Sequence, residues 1–270
     1  MYGYGFSNTF KTIGGGVVPF DTDAQAFITA ASITDPTQQS AVNQLVVDLK
    51  AASIWTKMKA VYPFVGGSAS SHKWNLKDAR DLDSAYRLSF SGGITHASTG
   101  VLFNGTNAYA VPFLNILSVC SNTSHSFGIY SRTNSTSGTQ VYGSYDSSVP
   151  SYLHHNVSGG NFISGDISTL NTYTAAPTTK LINCSRTANN SFKVYRDGSV
   201  LNTNTSISAV TIPNGGFVFG ARFIVNSVSF DFFDAHEAAF AYISDGLSDS
   251  DVSSLNNAVN TFQTTLSRNV

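Results

Sequence analysis

In the run Asn189-Asn190-Ser191-Phe192-Lys193-Val194-Tyr195-Arg196-Asp197-Gly198, apolar Phe192 and Val194 alternate with Lys193 and Tyr195 up to Asp197-Gly198. A period of two marks a strand with one face laid on a core. Asp-Gly supplies the two positive-φ residues of a tight hairpin turn. A second run, Phe240-Ala241-Tyr242-Ile243-Ser244-Asp245-Gly246-Leu247-Ser248-Asp249, reads as a strand that leaves its sheet at a Gly and feeds an N-capped helix. Together they set an architecture of antiparallel strands closed by a terminal helix.

Working back from these runs, short strands punctuated by Gly, Asn and Ser are predicted over 60–65, 86–90, 100–110, 126–131, 140–144, 162–167, 180–185, 191–195, 217–223 and 239–243. Regular short strands with turn signals argue for an all-β sandwich. Within 217–223, Phe217, Phe219, Ala221 and Phe223 place an apolar residue at every second position. Pro63 marks its strand as an edge or a strand start, because Pro lacks a ladder N–H.

Helices are expected at both ends. Asp21-Thr22-Asp23 caps a short apolar segment, and Thr34-Asp35-Pro36 is a start signal with Pro at the first helical position. Beyond it Val42, Leu45, Val46, Leu49 and Ala52 recur at helical spacing, and Trp55–Met58 reads as a short turn of helix. At the other end Ser248 and Asp251 form a capping-box-like start, followed by the stripe Val252, Leu255, Val259, Phe262 and Leu266. Arg268 suits the negative end of that helix. Residues 1–20 are rich in Gly and aromatics, with Gly14-Gly15-Gly16 as a flexible joint, and read as an arm that docks on a neighbouring subunit.

Composition narrows the function classes. Charged residues are 11% of the 270, against about 25% in an average globular chain, while hydrophobic residues reach 41%. A net charge of −1 with no basic run leaves no footprint for nucleic-acid binding. No apolar run reaches the ~20 residues of a membrane span, and Met1–Phe6 lacks the pattern of a secretory signal. Cys120 and Cys184 match no metal or redox spacing and read as small buried hydrophobes.

The strand over 60–67 with its Tyr-Pro-Phe and Gly-Gly, the Phe103-Asn104-Gly105-Thr106 turn, the Tyr195–Gly198 hairpin and the Phe240–Asp249 exit into a helix resemble the concanavalin A-like (laminin-G-like) jelly roll over residues 57–270. Trp55–Ala60 and Asn75–Asp78 are similar to tailed-bacteriophage virion proteins that join this jelly roll to a helical N-terminal segment. The resemblance implies a mainly β sandwich with an N-terminal helical arm (1–56), a jelly-roll domain (57–270) and a C-terminal helix. It implies a fibre, tail or capsid-surface component located in the virion, partnered by itself as a homo-oligomer and by other virion proteins.

The chemistry of the residues points away from catalysis. Retaining glycosidases need a nucleophile and an acid/base about 5–5.5 Å apart, yet the chain has one Glu, Glu237. No Gly-Xaa-Ser-Xaa-Gly elbow is present, and the six His are scattered. Asn226, Asp231 and Asp234 lie near one another without the spacing of a calcium loop, so neither metal nor cofactor is expected. The leading reading is a non-enzymatic virion structural protein mediating protein–protein assembly. The alternative is a module that binds host surface polysaccharide, with Tyr130, Arg132, Tyr142, Tyr152 and His154 as its ligand face. A glycosidase stands third.

Overall fold

The structure, a computed structural model, describes residues 10–13, 16–134, 139–147, 151–158, 161–165, 171–174, 179–206, 208 and 211–270, with the backbone alone for 10–18, 139, 140 and those between 151 and 174. β1 (Phe10–Ile13) and β2 (Gly16–Pro19) pair as an antiparallel hairpin. The Gly-Gly at 14–15 and residues 1–9 lie outside the described residues.

The cap signals act where the sequence places them. Asp21 caps α1 (Thr22–Ala30), and the Asp35 carboxylate accepts from the Gln38 N–H at 2.8 Å to start α2 (Pro36–Ala51). A turn of 3-10 helix at Trp55–Lys57 delivers the chain into β3 (Met58–Tyr62), which stops at Pro63 and at Phe64, whose φ is +44°. The one-turn helix α3 (Ala69–His72) and a 3-10 turn at Asp83–Ala85 precede β4 (Ser89–Ser91), β5 (Thr95–Ala97) and β6 (Gly100–Leu102). The strand expected from Tyr86 starts three residues later because Tyr86 is left-handed, with φ +59°. Asn104 then turns the chain toward β7 (Tyr109–Val111), its side-chain oxygen accepting from the N–H groups of Thr106, Asn107 and Ala108.

After α4 (Ile116–Val119) come β8 (His125–Ser131), β9 (Thr139–Asp146), β10 (Ser151–Ser158), β11 (Asn161–Gly165), β12 (Asn171–Thr174) and β13 (Lys180–Ala188). β14 (Ser191–Arg196) and β15 (Ser199–Asn204) are joined by Asp197 (φ +50°) and Gly198 (φ +75°), the two-residue hairpin read from the sequence. The single strand expected over 217–223 is instead β16 (Val218–Phe219) and β17 (Arg222–Ile224), separated by Gly220 at φ +80°. A Cβ at Gly220 would come within 2.3 Å of the Phe103 ring, so only Gly fits this reversal. β18 (Ser229–Asp231), β19 (Glu237–Ser244) and α5 (Asp249–Thr265) complete the chain.

Two sheets face each other. One runs β15-β14-β13-β8-β19-β6-β5, with β3 also on β19; the other runs β12-β11-β10-β9-β16-β7-β4, with the β17–β18 hairpin attached to β9. This is the jelly-roll sandwich expected. Between the sheets lies a core that includes Phe127, Ile129, Tyr142, Phe217, Phe219 and Ile243. A second core lies on the far side of the β8–β19 sheet, where Tyr130, Phe240 and Tyr242 meet Phe27, Val42, Leu45, Val252, Leu255 and Phe262 of the helices. The helical segment at the N-terminus therefore lies flat on the sandwich, beside α5.

Arg268 fastens this third layer. Expected to complement the negative end of α5, it lies beyond the last turn of that helix and is 2% exposed. Its guanidinium donates to the carbonyls of Phe64 (2.8 Å), Pro63 (3.2 Å) and Ala239 (3.1 Å) and to Gln263 Oε1 (2.9 Å). Burial pulls its pKa down to about 9, with the nearby Arg132 acting in the same direction. Replacing Arg268 by Ala removes its bonds to three carbonyls, of which Ala239 keeps the Gln263 amide, and the expected loss is about 3 kcal/mol or more of unfolding free energy in urea titration. A variant as stable as the parent contradicts the role given to this residue.

Candidate functional site

The face expected to hold a ligand is not a face. Tyr142 is 0% exposed in the core between the sheets, its hydroxyl donating to the Phe127 carbonyl at 3.3 Å. Tyr130 is 1% exposed on the opposite side of the other sheet, under the helices. Arg132 is spent on Glu237, at 2.8 Å, and on the Arg268 carbonyl, at 3.0 Å. These three residues are corrected from ligand face to core and cross-brace. The side chains of Tyr152 and His154 lie outside the described residues, and their backbones pair with Tyr145 and Gly143 across β9. Tyr142→Ala is therefore expected to cost about 3–5 kcal/mol of stability, read as a lowered urea midpoint.

The tyrosine three residues on, Tyr145, points the other way. Parallel pairing sets Phe223 beside Ser144 and Ile224 beside Tyr145. Within the hairpin Arg222 opposes Asp231, Phe223 opposes Phe230, and Ile224 opposes Ser229. Because successive strand residues alternate, the hairpin has two faces. Phe223 and Phe230 share one face, with rings 5.4 Å apart, and Phe230 stacks on Tyr109 at 3.9 Å. This face anchors the hairpin to the sandwich. Arg222, Asp231, Ile224, Ser229 and Tyr145 share the other.

On that second face Arg222 Nε and Nη2 donate to the two oxygens of Asp231 at 2.8 and 2.6 Å. The guanidinium lies 5.0 Å from the Tyr145 ring centre and 4.5 Å from that of Phe232. Phe232 is 46% exposed, and Val228, at the opposite end of β18, is 73% exposed. Both are left-handed, with φ +50° and +51°. A β-branched or aromatic residue in this region is strained. Asn226 ties the hairpin turn to the sheet by accepting from the Ser147 N–H at 2.6 Å and from its hydroxyl at 2.8 Å. The result is an aromatic–guanidinium–aromatic sandwich with a carboxylate at its edge. It offers a ring face for apolar C–H groups, guanidinium N–H donors beyond those given to Asp231, and carboxylate lone pairs.

Sequence reasoning missed Tyr145, Arg222 and Phe232, and weighed Asp231 only as a calcium ligand. The signal was the run Phe230-Asp231-Phe232-Phe233, in which an acid sits among rings too closely spaced to share one strand face. Asn226, Asp231 and Asp234 go to separate partners: Ser147, Arg222 and the buried His236. Among the described residues no group of three or more His, Cys, Asp or Glu is placed to hold a metal ion. Cys120 and Cys184 are buried thiols not joined in a disulfide, and burial pushes the Cys120 thiol up to about 12.

Two further polar places serve the fold. A recess of about 470 Å³ beside the start of α5 is lined by Ser185, Lys193, Tyr195 and Asp249, among others. There the Asp249 carboxylate accepts from Lys193 at 2.7 Å and from the Tyr195 hydroxyl at 2.8 Å, and Ser185 bonds the Leu247 backbone. His72 Nε2 accepts from the Gly67 N–H at 3.2 Å, so Nδ1 carries the proton and donates to His96 Nδ1 at 3.0 Å. Burial, reinforced by His96 and Arg268, pulls the His72 pKa down to about 3. The unfolded chain takes up this proton near the ordinary value of about 6.5 and the folded chain does not. Stability is therefore expected to fall as pH drops from about 6.5 toward 3, by on the order of 2–3 kcal/mol at pH 4. In His72→Gln the decline between pH 7 and 4 shrinks; an unchanged slope contradicts the assignment.

No family model and no curated protein sequence matches this chain. Among solved structures it is similar to a botulinum neurotoxin type C structure whose cell entry depends on interaction with two ganglioside molecules (TM-score 0.52, 10% identity, 77% of this chain and 53% of that one). It is also similar to Trypanosoma rangeli sialidase in complex with sialic acid (TM-score 0.52, 12% identity, 75% of this chain and 33% of that one). A third likeness is to domain 4 of an extracellular GH43 arabinanase from Geobacillus stearothermophilus, in complex with arabinotriose (TM-score 0.46, 19% identity, 74% of this chain and 98% of that one). The chain spans about half the length of the neurotoxin structure and a third of the sialidase. At these identities the likeness is one of fold, and the fold is the jelly-roll β-sandwich.

Proposed function

We propose that this chain is a glycan-binding sandwich module, and that it binds through the outer face of the β17–β18 hairpin. The observation that carries the reading is Arg222 held between Tyr145 and the half-exposed Phe232 while paired with Asp231. Sugars present apolar C–H faces and rims of hydroxyls, and this site offers a ring beside a fixed donor–acceptor pair. The ganglioside interaction named for one structural neighbour and the sialic acid complex of the other support the same direction.

The sequence reading put virion assembly first and glycan binding second; the exposed hairpin face supports the reverse order. The resemblance of Trp55–Ala60 and Asn75–Asp78 to tailed-phage virion proteins supports a particle surface as the setting, where such a module attaches to host polysaccharide. The role is binding without hydrolysis. Its support is that Glu237 is engaged by Arg132 and Asp231 by Arg222.

Calorimetry of the whole chain against bacterial surface polysaccharides tests this. Phe232→Ala removes the exposed ring, and the expected effect is roughly a tenfold loss of affinity, about 1.4 kcal/mol, with the urea midpoint little changed. Equal binding by parent and variant contradicts the site. Release of reducing sugar would return the chain to the glycosidase reading.

A further inference from the structure

Resting on the glycan-binding reading above, we infer that the ligand of the hairpin face is an uncharged hexose polymer and not an acidic one. The ligands named for the structural neighbours, sialic acid and gangliosides, carry carboxylates, so the fold similarity alone would suggest an acidic sugar. The charge at this site argues otherwise. Among the described residues Arg222 is the cation that faces the Tyr145 and Phe232 rings, and its charge is matched by the bidentate Asp231. The Arg222 side chain is only 15% exposed while Asp231 is 36% exposed, so the charge nearer an incoming ligand is the negative one. A carboxylate-bearing sugar would meet a repulsive edge and find its cation already taken.

A neutral sugar meets no such conflict. Asp231 can accept from one hydroxyl of a vicinal pair, and a guanidinium N–H not given to Asp231 can donate to its neighbour. Of the described rim residues, Ser229 lies on the same face by register and shares a hydrogen bond with Ser227, and Asn226 is held by Ser147, so these three add no charge. Phe232 supplies the apolar platform. Val228 and Phe232, 73% and 46% exposed, add apolar surface at the two ends of β18.

The test uses the whole chain with two neutral polymers, dextran and mannan, and two acidic ones, polysialic acid and hyaluronan. Binding is expected to at least one neutral polymer, changing by less than about twofold between roughly 0.05 and 0.5 M NaCl, because no net charge is neutralised. Asp231→Asn keeps the shape and frees the Arg222 charge. It is expected to raise affinity for polysialic acid at least roughly fivefold at low salt, with the gain lost at high salt. Preference of the parent chain for an acidic polymer, weakening as salt rises, overturns the inference while leaving glycan binding in place, as does an Asp231→Asn variant with no such gain. Binding to neither class removes the glycan-binding reading and this inference with it.

Discussion

The central strands of one sheet, β8 and β19, have no free face, and the rest of the structure is arranged around that constraint. β8 is buried at all seven positions and β19 at all but its first, Glu237. In β19, Ala241 and Ile243 face the sandwich core while Phe240 and Tyr242 face the helices. The pairing of β19 with β8 shifts between Ala238 and Phe240, which lets Ala239 and Phe240 both face the helical side. A sheet closed on both sides needs every polar group inside it answered. Ser126 donates to the Cys184 carbonyl and bonds the Tyr242 hydroxyl, and Arg268 satisfies three carbonyls at the seam between helix, sheet and loop.

That closure leaves the opposite sheet as the one whose attached hairpin stands out from the sandwich. β17 can run parallel to β9 only because Gly220 reverses the chain where any side chain would strike Phe103. The aromatic face of the hairpin is used for anchoring, and the Arg222–Asp231 face stands outward. Val228 and Phe232, at the two ends of β18, are left-handed non-glycine residues that keep 73% and 46% of their surface exposed.

Much of the fold was legible because its signals are local. The Asp35-Pro36 and Ser248–Asp251 caps and the Asp197-Gly198 turn depend on a few adjacent residues, and each lies where the sequence puts it. Strands of three residues, such as Thr95–Ala97 and Ser229–Asp231, are too short to show a period and were not seen. The site failed for a different reason. Alternation says that Tyr142 and Tyr145 point to opposite faces, but not which face is the core. Tyr142 is expected on a ligand face and lies instead in the interior. Arg268 was misread because its sequence position resembles a helix end, and only the tertiary seam at Pro63–Phe64 explains its burial.

A ligand site on the outer hairpin face and one at Tyr142 are distinguished by aromatic NMR in one titration. With a neutral oligosaccharide added, the ring signals of Phe232 and Tyr145 are predicted to shift together while those of Tyr142 and Tyr130 stay in place. Shifts confined to the Lys193–Asp249 recess, or no shift at the hairpin under saturating sugar, would contradict it.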